Sequence, residues 1–413
     1  MPDMHILLVT HYFAPENSAP TRRWAAFAER FIDHGHQVTV VAPPPHYPQG
    51  RVKDGLKQQY KPGSSAIEEY GANVFRTKYL QHRADIVSRT SDHLVAAYDS
   101  LGVAKRAAKQ FGPPEVVIAT APGIPSLIAG RRIAKAFGAP LIVEMRDAWP
   151  DLVTHTAGLS GGGPKKWVKK IIHERITDWQ LHSAQVVTTT QRFAEVLGER
   201  GVSSPVVIRN GTNIERYGNI GERTGNDRLH LLYMGNMGRS QGLHTVIEAA
   251  AKLKAQGVPI EVRFVGHGAD KPRLRQLNKA LGWPVEIRDQ VEPNEVHEHY
   301  AWADSLIVSL RDWEPFEWTV PSKLYEALAT GRHITGLLAG EAASVLRSAR
   351  GGEVIEPGNA DQLASFWREL ANRPGLLKVS SSAVEWASEH ANYDTLASRY
   401  LDLIEEIVAG CER

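Results

Sequence analysis

Several short segments of this chain set glycine, a cation or a carboxylate where a phosphate ester could be held. In Tyr233-Met-Gly-Asn-Met-Gly-Arg-Ser-Gln-Gly242, an apolar run meets a glycine-rich loop before a helical pattern. Gly235 and Gly238 let the backbone come close to a phosphate, and Arg239 adds charge. Taken alone, the segment also reads as a plain turn between strand and helix. Val265-Gly-His-Gly268 repeats the theme with Gly266 and Gly268, and His267 reads as a loop residue.

Val320-Pro-Ser-Lys-Leu-Tyr-Glu-Ala-Leu-Ala-Thr-Gly331 is the most informative stretch. Pro321 and Ser322 mark a helix entry, where free N–H groups favour an anion, and Lys323 adds positive charge at the same end. Glu326 follows one turn later. A carboxylate there can accept hydrogen bonds from two adjacent hydroxyls, as on a ribose. An acidic residue placed for the helix dipole would look the same.

Two further segments lie in the first half of the chain. His11-Tyr-Phe-Ala-Pro-Glu-Asn-Ser-Ala-Pro-Thr21 brings the small residues Asn17 and Ser18 to a helix start, with Thr21 read as a simple cap. Glu144-Met-Arg-Asp-Ala-Trp-Pro150 carries Arg146 and Asp147 out of a buried strand, where they need a ligand or each other. No H-E-x-x-H, D-x-D or C-x-x-C pattern accompanies these segments, so no metal cluster is read from short motifs.

The elements that position them alternate strand and helix. Apolar runs at 5–10, 37–42, 73–78, 115–120, 141–145, 185–189 and 205–209 have the unbroken character of buried parallel strands. Helical patterns at 21–34 and 89–110 lie between them. After a polar stretch at 219–228 a second series begins, with strands at 229–234, 260–265, 285–288, 305–309 and 333–337. Repeated β-α units predict an α/β chain with parallel sheets covered on both faces. Ligands of such sheets bind beyond the carboxyl ends of the strands, where these segments fall.

Composition narrows the partners. Among 413 residues, 48 basic and 46 acidic side chains leave a net charge of +2, which argues against a nucleic-acid binder. A single cysteine, Cys411, excludes a disulfide framework. No signal peptide is read at the start, and no run reaches the roughly 20 apolar residues of a membrane span. A cytoplasmic protein is expected, with peripheral contact at the inner face of the plasma membrane left open.

Together these segments resemble the retaining family 4 glycosyltransferases. That resemblance implies the GT-B fold, two facing Rossmann-like domains with a deep cleft between them. The likeness is greatest to the branch of the O-antigen fucosamine transferases, carried by Phe13-Ala-Pro-Glu16, Arg146-Asp-Ala-Trp-Pro150, Gly235-Asn-Met-Gly238, Gln241-Gly242 and Pro321-Ser-Lys-Leu-Tyr-Glu326. It implies an N-terminal acceptor domain at 1–212, to which a helix at about 393–413 returns, and a donor domain at 226–392. The family's loop arginine is Asn236 here and its lysine is Gln241, so Arg239, with Lys323, takes the place of the phosphate cations. The first of its paired glutamates is replaced by Trp318, with Glu317 adjacent, and its sugar-contacting histidine by Arg146.

The activity implied is transfer of a sugar from a nucleotide diphosphate donor, UDP by default, to a glycan or lipid-linked acceptor in envelope polysaccharide synthesis. The anomeric configuration would be retained. Arg146, Asp147, Arg239 and Lys323 would serve catalysis, and Asn17, Ser18, Gly235, Asn236, Gly238, Gln241, Gly266, Gly268, Pro321, Ser322 and Glu326 would join Arg239 and Lys323 around the donor. No cofactor or metal is implied, because fixed cations and helix dipoles can stabilise the leaving phosphate. The helical segment 91–109 and the basic Pro164-Lys-Lys-Trp-Val-Lys-Lys-Ile-Ile-His173 are acceptor-side candidates, the latter as a membrane-surface segment or an ordinary solvated helix. A sugar-nucleotide 2-epimerase and a non-catalytic nucleotide-binding component of a glycan assembly are the alternatives.

Overall fold

The computed structural model describes residues 3–16, 18–47, 49–83, 85–146, 164–218, 220, 227–292 and 295–411. The chain divides into two compact units. One comprises Met1–Arg209 and Tyr393–Arg413, the other Asn210–Asn392.

The first unit holds an eight-stranded sheet. Its strands are β1 (His5–Val9), β2 (Gln37–Ala42), β3 (Ser65–Ile67), β4 (Asn73–Arg76), β5 (Val116–Thr120), β6 (Leu141–Met145), β7 (Gln185–Thr188) and β8 (Val206–Val207). They lie in the order β3-β4-β2-β1-β5-β6-β7-β8. Every described pair is parallel except β3 with β4. All five residues of β1, β5 and β6 are buried. Burial of both faces explains why these strands read as continuous apolar runs. The chain reverses its direction of winding beside β1, between β1 and β5, which is where a doubly wound sheet opens a crevice.

The first helix runs Ala19–Asp33, two residues earlier than its periodicity suggests. Ser18, not Thr21, is the cap: its hydroxyl accepts from the Thr21 N–H at 3.3 Å. Pro20 fits in the first turn because no intrahelical N–H bond is required there. The buried Trp24, Phe27 and Phe31 of this helix meet Tyr400 of the Tyr393–Cys411 helix, with ring centroids 5.7, 5.5 and 5.9 Å away. Arg23 lies on the same helix, 1% exposed, and donates from Nη2 to Glu144 Oε2 at 3.0 Å.

The second unit holds six strands, β9 (Leu229–Met234), β10 (Ile260–Val265), β11 (Val285–Arg288), β12 (Ser305–Ser309), β13 (His333–Leu337) and β14 (Gly352–Ile355). Their order is β11-β10-β9-β12-β13-β14, with parallel pairing throughout. The reversal falls between β9 and β12.

Two strands were not expected. β3 is a three-residue antiparallel edge with every side chain exposed, so it carries no apolar signal. β14 opens on Gly352, and the preceding Gly351 further weakens any strand pattern. A Cβ on Gly352 would lie 2.0 Å from the Ile334 carbonyl oxygen, so strand pairing itself demands glycine.

His333, 5% exposed in β13, gives the second unit a pH dependence. Burial pushes its imidazole down to about 4. Unfolded, it takes a proton near pH 6.5. Below that pH the unfolded chain binds a proton that the folded chain refuses. Stability is therefore expected to fall between pH 6.5 and 4, by about 3 kcal/mol at roughly 1.4 kcal/mol per unit. Urea unfolding at pH 7 and 4.5 checks this. His333→Asn should lose less stability over that interval than the parent, and equal losses would contradict it.

Candidate functional site

The carboxyl ends of β9, β10 and β12 and the helix Ser322–Ala329 bring most of the predicted residues of the second unit together. Gly235 follows β9 with φ +142°. A Cβ built there would lie 1.0 Å from Lys323 Nζ. The lysine head therefore occupies the space above a residue that must be glycine. It donates to the Met234 carbonyl at 2.7 Å and lies 5.0 Å from the centre of the Tyr233 ring.

Gly266 and Gly268, after β10, close on the same loop. A Cβ on Gly266 would meet Gly235 O at 2.0 Å, and one on Gly268 would meet Met237 O at 2.3 Å. The Gly235 and Met237 N–H groups donate to the carbonyls of Val265 and His267. The two glycine-bearing loops are thus one interlocked backbone layer rather than two independent turns. Gly242 and β12 complete it: the Arg311 N–H donates to Ser240 O, and Ser309 Oγ donates to Gln241 O.

Gln241 has a local role. Its Oε1 accepts from the Gly238 N–H at 3.1 Å, which shapes the short helical turn Arg239–Gln241. Asn236 and Arg239 are exposed on this loop. Pro321 caps the Ser322–Ala329 helix and brings no side-chain acceptor of its own to the N–H groups of the first turn. Ser322, Lys323 and Glu326 are half-buried, while Leu324, Tyr325, Ala327 and Leu328 point into the core. Ser322 and Glu326, four residues apart, share one helix face. Trp318 ends the short Glu314–Glu317 helix.

The first unit places its predicted residues differently. Ser18 is buried, and its hydroxyl is engaged as the helix cap. Arg146 is buried just past β6, and its carbonyl accepts from Thr189 Oγ1 at 3.1 Å. Asn17 and Asp147 lie outside the described residues. So do the side chains of Lys165, Lys166 and Lys169 in the helix Pro164–Leu181. Among the described residues, no helix is long and apolar enough to cross a membrane.

One cluster in the first unit escaped the sequence reading. His11 follows β1, His46 follows β2, and Asp92 lies on the helix Ile86–Phe111. Both imidazole Nε2 atoms lie 2.9 Å from Asp92 Oδ2. Burial works to raise the Asp92 carboxyl, but hydrogen bonds from both histidines and their charge outweigh it and hold it well below its ordinary range. Burial lowers His11, whereas for His46 the Asp92 carboxylate and the Pro44 carbonyl overcome burial and raise it. Burial and the charge of His11 push His93 down to about 2. The only signal in the sequence is a density of aromatic and imidazole residues, His11-Tyr12, His46-Tyr47, His82 and His93, with no short spacing to tie them together.

Comparison with known proteins agrees with this architecture. A model described as "Glycosyl transferase 4-like domain" matches residues 18–211, and one described as "Glycosyl transferases group 1" matches residues 228–373. WcaI of Escherichia coli, described as a colanic acid biosynthesis glycosyl transferase, is 25% identical, over 97% of this chain and 99% of its own. Among solved structures, sucrose-phosphate synthase from Thermosynechococcus elongatus superposes with a TM-score of 0.73 at 15% identity, covering 98% of this chain and 100% of the other. Anabaena HepE in complex with UDP gives 0.68 at 15% identity, with the same coverage. At that identity the structures speak for the fold, which is GT-B with two Rossmann-like domains. Since the two glycosyltransferase models together account for most of the chain, and the relative of nearly equal length shares that description, this protein belongs to the group 1 and 4-like glycosyltransferases and is a glycosyl-transferring enzyme.

Proposed function

We propose that the enzyme moves a sugar from a nucleotide diphosphate donor, UDP-linked, onto a glycan or lipid-linked acceptor during envelope polysaccharide synthesis, with retention at the anomeric carbon. The observation that carries the donor assignment is Lys323 Nζ held over Gly235, at the positive end of the Ser322–Ala329 helix. The diphosphate rests there, with Arg239 reaching it from the exposed loop. Glu326 takes the ribose hydroxyls. As the anomeric bond breaks, charge gathers on the leaving phosphate, and a fixed ammonium and helix end stabilise it without having to reorganise. UDP in the structures of HepE, and colanic acid in the description of WcaI, support the donor class and the pathway class.

A thermal-shift panel of UDP, GDP, CDP and ADP tests the donor reading. A ligand that binds only the folded state at 100 times its Kd adds about 2.7 kcal/mol, or roughly 5–10 °C for a unit of this size. UDP is expected to give that shift in the parent and little of it in Glu326→Ala. A shift unaltered by Glu326→Ala removes the ribose assignment, and no shift with any nucleotide removes the donor assignment.

A further inference from the structure

His11, His46 and Asp92 lie in the first unit and are not among the residues assigned to the donor. They are 3%, 2% and 0% exposed. Residues this polar are buried only with their valences filled. Asp92 Oδ1 accepts the Leu80 N–H at 2.8 Å. Asp92 Oδ2 faces two imidazole nitrogens, His11 Nε2 and His46 Nε2, each at 2.9 Å.

The other nitrogen of His46 limits what can lie between them. His46 Nδ1 is 2.6 Å from the Pro44 carbonyl oxygen, which can only accept. Nδ1 therefore carries a hydrogen. In a neutral ring Nε2 is then a lone pair, aimed at a carboxylate oxygen that has only lone pairs to offer. A buried arrangement of that kind requires a hydrogen between the two atoms, carried by His46 or by Asp92, or a metal ion in its place.

The donor set matches a metal. Two imidazole nitrogens and one carboxylate oxygen come from three separate elements, and the three atoms lie within 4.8 Å of one another. Metal–ligand bonds of roughly 2.0–2.2 Å would hold tetrahedral donors about 3.4 Å apart, so each of the two nitrogen–oxygen separations of 2.9 Å needs to open by about half an ångström. A ligating histidine usually gives its remaining N–H to a backbone carbonyl, as His46 does to Pro44. Beyond this shell, Glu16 Oε1 accepts the His46 and Tyr47 N–H groups at 2.6 and 2.8 Å, placing a second carboxylate nearby. The His93 ring lies 3.8 Å from that of His11.

We propose that His11, His46 and Asp92 bind one divalent metal ion of the zinc class, which ties the loops after β1 and β2 to the Ile86–Phe111 helix. Nitrogen and carboxylate ligands with no thiolate suit zinc or a neighbouring first-row ion and disfavour calcium and magnesium. The three ligands are not among the residues proposed to hold the diphosphate, and the proposal puts no metal on the phosphate.

The test uses the full chain with any affinity tag removed. Metal content after purification and dialysis against zinc is expected to reach one equivalent per chain. Cobalt substitution should produce visible absorption bands of a low-symmetry site. Asp92→Asn and His46→Gln, each checked for native circular dichroism, should weaken zinc binding at least 10-fold. A chelator should lower the unfolding temperature of the parent but not that of either variant. The parent failing to bind zinc or cobalt at 100-fold excess would overturn the proposal and leave a proton in the site. So would variants that bind as tightly as the parent. A nitrogen NMR spectrum with His46 protonated at both positions in the presence of zinc would do the same without any substitution.

Discussion

Lys323→Ala is expected to cut the turnover of nucleotide sugar about 10²–10³-fold. Removing one preorganised donor from a site of developing negative charge has an effect of that size, roughly 3–4 kcal/mol. Lys323 is preorganised in this sense. Its Nζ is fixed by the Met234 carbonyl at 2.7 Å and sits where a side chain on Gly235 would be. No lysine rotamer search remains when the phosphate charge grows. The loss should fall on kcat, because the charge is greatest in the transition state. Arg239→Ala, on an exposed and freely solvated side chain, should lose less. Product nucleotide released from the best-binding donor, measured at saturation, is the readout. An unfolding temperature close to that of the parent separates chemistry from folding. A Lys323→Ala enzyme with near-parent kcat would end the assignment of Lys323 to the leaving phosphate.

Arg23→Met is expected to destabilise the first unit by about 3–5 kcal/mol, since it leaves a buried carboxylate without its counter-charge. Arg23 Nη2 donates to Glu144 Oε2 and to the Ile208 carbonyl, both at 3.0 Å. Nη1 donates to the Arg209 carbonyl at 2.5 Å. The guanidinium also lies 4.6 Å above the centre of the Phe27 ring. Without it, Glu144, fully buried, keeps the Thr120 hydroxyl at 3.2 Å as a hydrogen-bonding side chain. Arg23→Met with Glu144→Met removes both charges and should recover a large part of the loss. Urea unfolding of the two variants and the parent decides it. A double variant as unstable as the single one would show that shape, not charge, is what the pair provides.

How much of this was legible in the chain follows from where the information lies. Parallel strands buried on both faces announce themselves as apolar runs, so β1, β2, β5, β6 and β9 were read within a residue. The edge strand β3 and the glycine-led β14 were not, since neither carries that signal. The donor loops were legible as glycine and cation near a strand end. What the sequence hid was their interdependence. Lys323 reaches a carbonyl 89 positions earlier, and Gly266 is glycine because Gly235 lies against it. Gln241 shows the converse, since a residue matched to a ligand-contact position spends its side-chain oxygen on Gly238. The histidine cluster was invisible for a simpler reason. Asp92 is 81 positions from His11 and 46 from His46, and only the winding order of the sheet brings them together.

The interruption of the first unit by the second sets an order of events during synthesis. Residues through Arg209 leave the ribosome with the Trp24, Phe27 and Phe31 face of their first helix still wet, because Tyr400 has yet to be made. The second unit is continuous in sequence and can complete itself first. The unit that begins the polypeptide is therefore the last to finish, and a nascent chain stalled before Tyr393 would carry an exposed aromatic surface suited to holdase chaperones.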